Sequence, residues 1–185
     1  KSSSFDVVGP FVSVSLHMHI TGLFNVYNTL AAIGAAHAEG VDTDVIDKAV
    51  QTFYSVPGRF ELVEAGQDFA IVVDYSHTPD SLEKALTTAR AMKPNRIITV
   101  FGCGGDRDRT KRPIMGGIAA QYADIPIVTS DNPRSEDPEF IVSEVEGGVR
   151  AALKEGQRHE VIVDRRQAIY KAIEIAEPGD IVLIA

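Results

Sequence analysis

The spacing of apolar residues changes character twice along the chain. Residues 5 to 20 alternate in part: Val7 and Val8, a Gly9-Pro10 turn, then Phe11, Val12, Val14 and Leu16, which predicts strands. From Phe24 to Ala38 the period lengthens, with Val26, Tyr27, Leu30, Ile33 and Ala36 or His37 at helical spacing and Gly40 as a stop. A second helix is expected over Thr43 to Phe53, capped by Asp42 or Thr43, with Val45, Ile46, Ala49, Val50 and Phe53 facing inward. Ser55-Val56-Pro57-Gly58 then breaks the rhythm, so a domain boundary is placed there, dividing residues 1–57 from 58–185.

After the boundary, strands and helices alternate. Arg59 to Glu64 predicts a short strand, and Phe69 to Asp74 an apolar strand buried on both faces. A helix follows, with Thr78 as cap and Pro79 in its first position. Strand Arg96 to Phe101, helix Pro113 to Tyr122, strand Ile125 to Thr129 and helix Pro138 to Leu153 come next. Strand Val161 to Val163, a helix from Arg165 to Ala176 and a last apolar run, Ile181 to Ala185, complete the series. Such an order predicts an α/β fold: a Rossmann-like, mostly parallel sheet with helices on both faces. In that arrangement four polar clusters follow strand C-terminal ends and should open onto one edge: Asp74 to His77, Gly102 to Asp108, Asp131 to Arg134, and Asp164. Ligands bind at such edges in open α/β sheets.

Composition adds exclusions. The 185 residues are 44% hydrophobic and 24% charged, in the range of globular proteins, and no apolar run reaches the roughly 18 residues of a membrane span. A net charge of −8 argues against a nucleic-acid binder, whose phosphate contacts call for a basic face. Cys103, the single cysteine, cannot form an internal disulfide, and a cytoplasmic setting is expected. The chain opens on Lys1 rather than methionine and closes on a strand-like run, as a piece of a longer protein would.

Against the acidic background, Arg107, Arg109, Lys111 and Arg112 cluster beside the glycine-rich stretch Gly102-Cys103-Gly104-Gly105. The spacing is neither a dinucleotide fingerprint nor a P-loop, and no G-x-x-x-x-G-K-[ST] occurs in the chain. Anion binding by arginine is the favoured reading, with a solvated glycine turn as the alternative. A buried structural thiol is preferred for Cys103 over a nucleophile. Asp74 and His77 suit acid–base work or a sugar hydroxyl equally well. His17 and His19 alternate on one strand face, where a solvated face is preferred to a metal pair. Asn25 and Asn28 near a helix start suit capping. In Asp131-Asn132-Pro133-Arg134, Pro133 stiffens a loop carrying both charge signs, which suits a zwitterionic ligand or an ordinary polar turn.

Five stretches, in order, resemble the Mur ligases, and within them the MurE type. They are Gly22 to Asn28, Gly58-Arg59-Phe60-Glu61, Val73 to Asp80, Phe101 to Asp108 and Asp131-Asn132-Pro133-Arg134. The resemblance covers nearly the whole chain from about residue 5. It implies that residues 1–57 end a central ATP-binding domain and that 58–185 form a C-terminal Rossmann-like domain that delivers the incoming amino acid. It further implies an ATP- and Mg2+-dependent ligase of peptidoglycan biosynthesis that adds meso-diaminopimelate to UDP-MurNAc-L-Ala-D-Glu through an acyl phosphate. By the same resemblance Asn28, Arg59, Asp74 and His77 would serve ATP, and Arg107, Asp131, Asn132, Pro133 and Arg134 the diaminopimelate. No residue of the chain is assigned a catalytic or metal-ligating role, and a monomer is expected.

The family's phosphate-binding loop and UDP-sugar-binding domain are not in this sequence, nor is the Gly-Lys-Gly-His-Glu-like segment expected after Ala185. The piece alone is therefore expected to be inactive. Two alternatives stand beside this reading: a lysine-adding ligase of the same type, and a Rossmann-like module that binds without catalysis.

Overall fold

The computed structural model describes residues 3–9, 13–19 and 22–185. Pro10, Phe11 and Val12, on which part of the expected first turn and strand falls, lie outside the described residues. The chain divides into two compact units, Lys1–Glu61 and Leu62–Ala185.

In the first unit, β1 (Ser3–Val8) and β2 (Ser13–Met18) pair antiparallel, with Phe5 opposite Leu16. Phe5, Val7 and Leu16 pack with Ile33 and Ala36 of α1 (Leu23–Ala38) and Ile46 and Val50 of α2 (Thr43–Thr52), forming a small core. The expected asparagine cap of α1 is not found. Gly22 holds the N-cap position with φ 99, a left-handed value that glycine adopts without a Cβ penalty, and Asn25 is buried one turn inside. His17 meets the Ser4 hydroxyl at 3.0 Å, and His19 stacks on Tyr54 at 4.4 Å. Among the described residues no group of three metal-ligating side chains converges.

The second unit is organised by a six-stranded sheet in the order β3-β4-β8-β5-β6-β7. These strands are β3 (Glu61–Val63), β4 (Ala70–Val73), β5 (Ile97–Phe101), β6 (Ile125–Val128), β7 (Glu160–Val161) and β8 (Ile181–Ile184). The pairs β4·β8, β8·β5, β5·β6 and β6·β7 are all parallel. The parallel sheet expected from the alternating pattern is therefore present. Every residue of β5 is buried, as a strand covered on both faces requires. Ile98 and Val100 of β5, with Ile127 and Val182, pack on Ala168 and Ala172 of α6 (Arg165–Ile175). Side chains alternate across a strand, so Ile97, Thr99 and Phe101 face the other way. On that side α3 (Pro79–Ala91) touches β5, while α4 (Lys111–Tyr122) and α5 (Pro138–Ala152) pack on β6 and on each other.

Three boundaries differ from expectation for local reasons. The α4 helix begins at Lys111 rather than Pro113, because a proline within the first turn lacks only a donor that would be unsatisfied there anyway. The β3 strand excludes Arg59, which lies in a turn. The β7 ladder stops at Val161, yet Val163 still accepts from the Ser130 amide at 3.1 Å and the Thr129 hydroxyl at 3.2 Å. No helix is long and apolar enough to cross a membrane among the described residues.

Candidate functional site

Because the strands run parallel, the residues following β4, β5, β6, β7 and β8 all emerge at one edge of the second unit's sheet. Two loops there are joined into one body. The Gly105 amide donates to the Asn132 carbonyl at 2.8 Å, and the Asp106 amide donates to Glu136 Oε1 at 2.6 Å. In return Ser135 donates to the Asp106 carboxylate through its hydroxyl at 2.7 Å and its amide at 3.2 Å. Arg134 Nη1 donates to the Gly105 carbonyl, laying its guanidinium along the glycine loop. A Cβ on Gly105 would run into the Pro133 carbonyl, and one on Gly104 would lie 3.1 Å from Arg134 Nη1. The glycines thus serve close approach of one loop to the other. Asp106 and Arg134 both hold left-handed backbone, φ 52 and φ 51, which is uncommon away from glycine and clusters at ligand clamps.

Beneath this pair of loops sits Arg112. Its side chain is fully buried and donates to Glu136 at 2.7 and 3.0 Å and to Glu144 at 2.5 Å. Glu144 also accepts from Arg109 Nη2 at 2.5 Å, and the Arg109 guanidinium lies 4.8 Å from the Phe140 ring centre. The Arg112 hydrogen bonds, then the Asp106 amide, hold the Glu136 carboxyl down at about 2. Hydrogen bonds from Ser135 lower Asp106, and those from Thr110 lower Asp108. Sequence reasoning counted Arg112 in the basic cluster and did not place it in the core. The signal for its burial was present: Arg112, Met115, Gly116, Ala119 and Ala120 lie on one helix face and are all buried.

The other expected site residues fall as follows. Asp131, Asn132 and Arg134 are exposed and Pro133 half-buried, at the C-terminal end of β6. Arg107 is exposed on the glycine loop, its guanidinium 3.3 Å from the Asp106 carbonyl. Asp74 is half-buried beyond β4 and accepts from the Ser76 hydroxyl. His77 meets the Tyr75 carbonyl through Nδ1 at 3.0 Å, which makes that nitrogen the donor, and the two rings lie 4.8 Å apart. Lys111 Nζ donates to the His77 carbonyl at 2.8 Å, tying the β4 loop to α4. The structure therefore brings Arg107 and Asp131 to Arg134 together on the joined loops, with Asp74 and His77 along the same edge. Asn28 and Arg59 belong to the first unit: Asn28 lines an apolar hollow with Met18, Ile33 and Ile46, and Arg59 is exposed after Gly58.

Cys103 is buried against Met115, Sγ to Sδ 3.6 Å, and burial pushes its thiol up to about 11. A thiol so held is no nucleophile at neutral pH.

A parallel sheet carrying a glycine loop clasped to an Asp-Asn-Pro-Arg loop defines an α/β domain with fixed charges gathered at one sheet edge. Residues 58–185 match the model of the Mur ligase, glutamate ligase domain, and the chain belongs to that family. Over 173 residues it is 54% identical to the UDP-N-acetylmuramoyl-L-alanyl-D-glutamate–2,6-diaminopimelate ligase of Syntrophomonas wolfei, covering 94% of this chain and 35% of that protein. A solved structure of a ligase of the same name superposes with a TM-score of 0.66 at 41% identity, over 98% of this chain and 37% of the other. Folylpolyglutamate synthase from Thermotoga maritima shares the fold, with a TM-score of 0.71 at 21% identity over 97% of this chain and 40% of its own. The chain thus spans little more than a third of the length of these proteins.

Proposed function

We propose that this chain is the amino-acid-delivering part of an ATP-dependent ligase that joins meso-diaminopimelate to the D-glutamate of UDP-MurNAc-L-Ala-D-Glu. Residues 1–57 are read as the end of the central ATP-binding domain and 58–185 as the C-terminal domain. The observation that carries the reading is the clasp of the Asp131-Asn132-Pro133-Arg134 loop on the glycine loop, which holds Arg134 beside Gly104 and Gly105. Similarity to relatives named as diaminopimelate ligases supports the choice of substrate.

In this class of reaction the substrate carboxylate becomes an acyl phosphate, with ATP as phosphoryl donor, and an amine displaces the phosphate. This chain's part is to hold the amine's owner still, since fixed geometry alone lowers the barrier of a bimolecular step. Diaminopimelate carries an ammonium and a carboxylate at each end. Asp131 is a suitable partner for an ammonium, and the planar guanidiniums of Arg134 and Arg107 for carboxylates. Asp74, a strand-end carboxylate, and the neighbouring Tyr75 and His77 rings suit the nucleoside of ATP, and Asn28 and Arg59 are assigned to adenine and phosphate. Magnesium is assigned no ligand in this chain. A cytoplasmic setting and a monomer are part of the same reading.

Losing one partner of a desolvated charge pair typically costs ~2–5 kcal/mol, and ~1.4 kcal/mol is tenfold in affinity. Arg134→Ala in the complete ligase should therefore raise the KM for diaminopimelate by roughly 30-fold or more while that for ATP moves little. Equal rises in both constants would overturn the assignment.

A further inference from the structure

Arg112 is hard to account for as a stabilising residue. It lies in the first turn of α4, on a face shared with Met115, Gly116, Ala119 and Ala120, and its side chain is wholly buried. Exchanging a buried ion pair for apolar residues of similar volume is often neutral or stabilising, so stability alone gives little reason for a charge there. Its Nε is closed off from solvent and makes no hydrogen bond among the described residues. Buried donors are seldom left so, and each exception calls for a reason.

What the guanidinium does is fix one carboxylate in plane and place. Nη2 donates to Glu136 Oε1 at 2.7 Å and Nη1 to Oε2 at 3.0 Å, a two-pronged pair. The same Oε1 accepts from the Asp106 amide at 2.6 Å, and Arg107 is the next residue along that loop. The Glu136 amide donates to the Pro133 carbonyl at 3.0 Å, closing the turn that carries Arg134. Glu136 directly precedes Asp137, the cap of α5, so it is tied to the start of a helix as well. Its side chain thus braces the loop beside Arg107 while its own amide braces the turn around Arg134. Asp106 and Arg134 both hold left-handed backbone, which persists only where the surroundings enforce it.

We infer that Glu136, clamped from below by Arg112, is a positioning residue that sets the spacing and direction of Arg107 and Arg134 at the amino-acid site. Its carboxylate is taken up by Arg112 and the Asp106 amide, so it acts through the backbone and leaves the two guanidiniums to meet the ligand. A ligand with a carboxylate at each end needs two guanidiniums at a fixed separation, and a loosened brace weakens its hold without touching ATP. This rests on the proposed function above.

The test uses the complete ligase, with steady-state constants for diaminopimelate and ATP and a melting curve for each variant. Glu136→Ala removes the brace and leaves Arg112 paired with Glu144. It should raise the KM for diaminopimelate about tenfold, with that for ATP within about twofold. Glu136→Gln, which keeps an acceptor of the same reach for the Asp106 amide, should recover part of that loss. Combining Glu136→Ala with Arg134→Ala should raise the KM by less than the product of the single effects, because both act through one guanidinium. A residue needed only for stability would lower the melting temperature and leave both constants alone. An unchanged KM for diaminopimelate, equal rises in both constants, or effects that multiply in full would overturn the inference. If Glu136→Ala does not fold, Arg112→Met combined with Glu136→Met takes its place. That pair leaves Glu144 with Arg109 and offers the Asp106 amide no acceptor: a selective rise supports the role and no rise refutes it. Arg134→Ala alone serves as the control. If it is selective and the Glu136 variants are not, only this inference falls; if neither is, the proposed function falls with it.

Discussion

At the scale of single residues, the site rests on a buried cation. Arg112 is wholly enclosed, and two carboxylates, Glu136 from the loop before α5 and Glu144 from α5 itself, converge on it. Such a group is stable only while paired. Glu136 links it to the glycine loop, since its other contact is the Asp106 amide. The Glu136 carboxyl, ordinarily near 4.5, is held at about 2 in the folded protein. A group lowered on folding contributes stability that is fully present above its unfolded value and lost as pH falls through its folded one. The melting temperature should therefore drop as pH falls from about 4.5 to about 2, and Glu136→Gln should make that fall shallower without abolishing it, because Asp106 and Glu144 are lowered too. An acid-melting series compares the two; identical slopes would show that Glu136 is not clasped as described. Arg112 also marks where sequence reasoning fell short at this scale. Charge type grouped it with the basic cluster, and only the helical spacing of its apolar neighbours pointed inward.

At the scale of elements, two loops behave as one because a backbone donor, a backbone acceptor and two carboxylates are shared between them. Gly105 is the closest point. Any Cβ there meets the Pro133 backbone, which cannot swing aside as a side chain end would. Gly105→Ala is expected to cost about 1–3 kcal/mol in denaturant unfolding, as overpacking of a tight contact does. A change under about 0.5 kcal/mol, the range of ordinary surface substitutions, would mean the loops are not in contact. Both loops were legible as ligand candidates because each follows an apolar strand, the first with glycines and charge, the second with proline and charge. Their joining was not, since it depends on β5 and β6 being neighbours, which sequence order alone does not fix. The cap of α1 was misjudged for a simpler reason. Two asparagines near a helix start looked like caps, but Gly22 alone tolerates the left-handed turn required, and that left Asn25 inside.

At the scale of the whole molecule, the alternation of strand and helix was enough to give the parallel sheet and hence the edge at which the site lies. It could not give strand order, and the insertion of the last strand, β8, between β4 and β5 is what brings the Ala185 carbonyl within reach of Arg165. Asn28 and Arg59, assigned by resemblance, sit in the first unit and Asp74 and His77 in the second. The nucleotide roles proposed for them rest on the family resemblance. The central claim concerns the far end of the amino acid, where diaminopimelate has a carboxylate and lysine has none. It is tested by measuring ligation with each by the complete ligase under identical conditions. The account predicts that kcat/KM for meso-diaminopimelate exceeds that for lysine by roughly 30-fold or more, and that Arg134→Ala removes most of the difference. Lysine used as well as diaminopimelate, or a preference that survives the loss of Arg134, would contradict it.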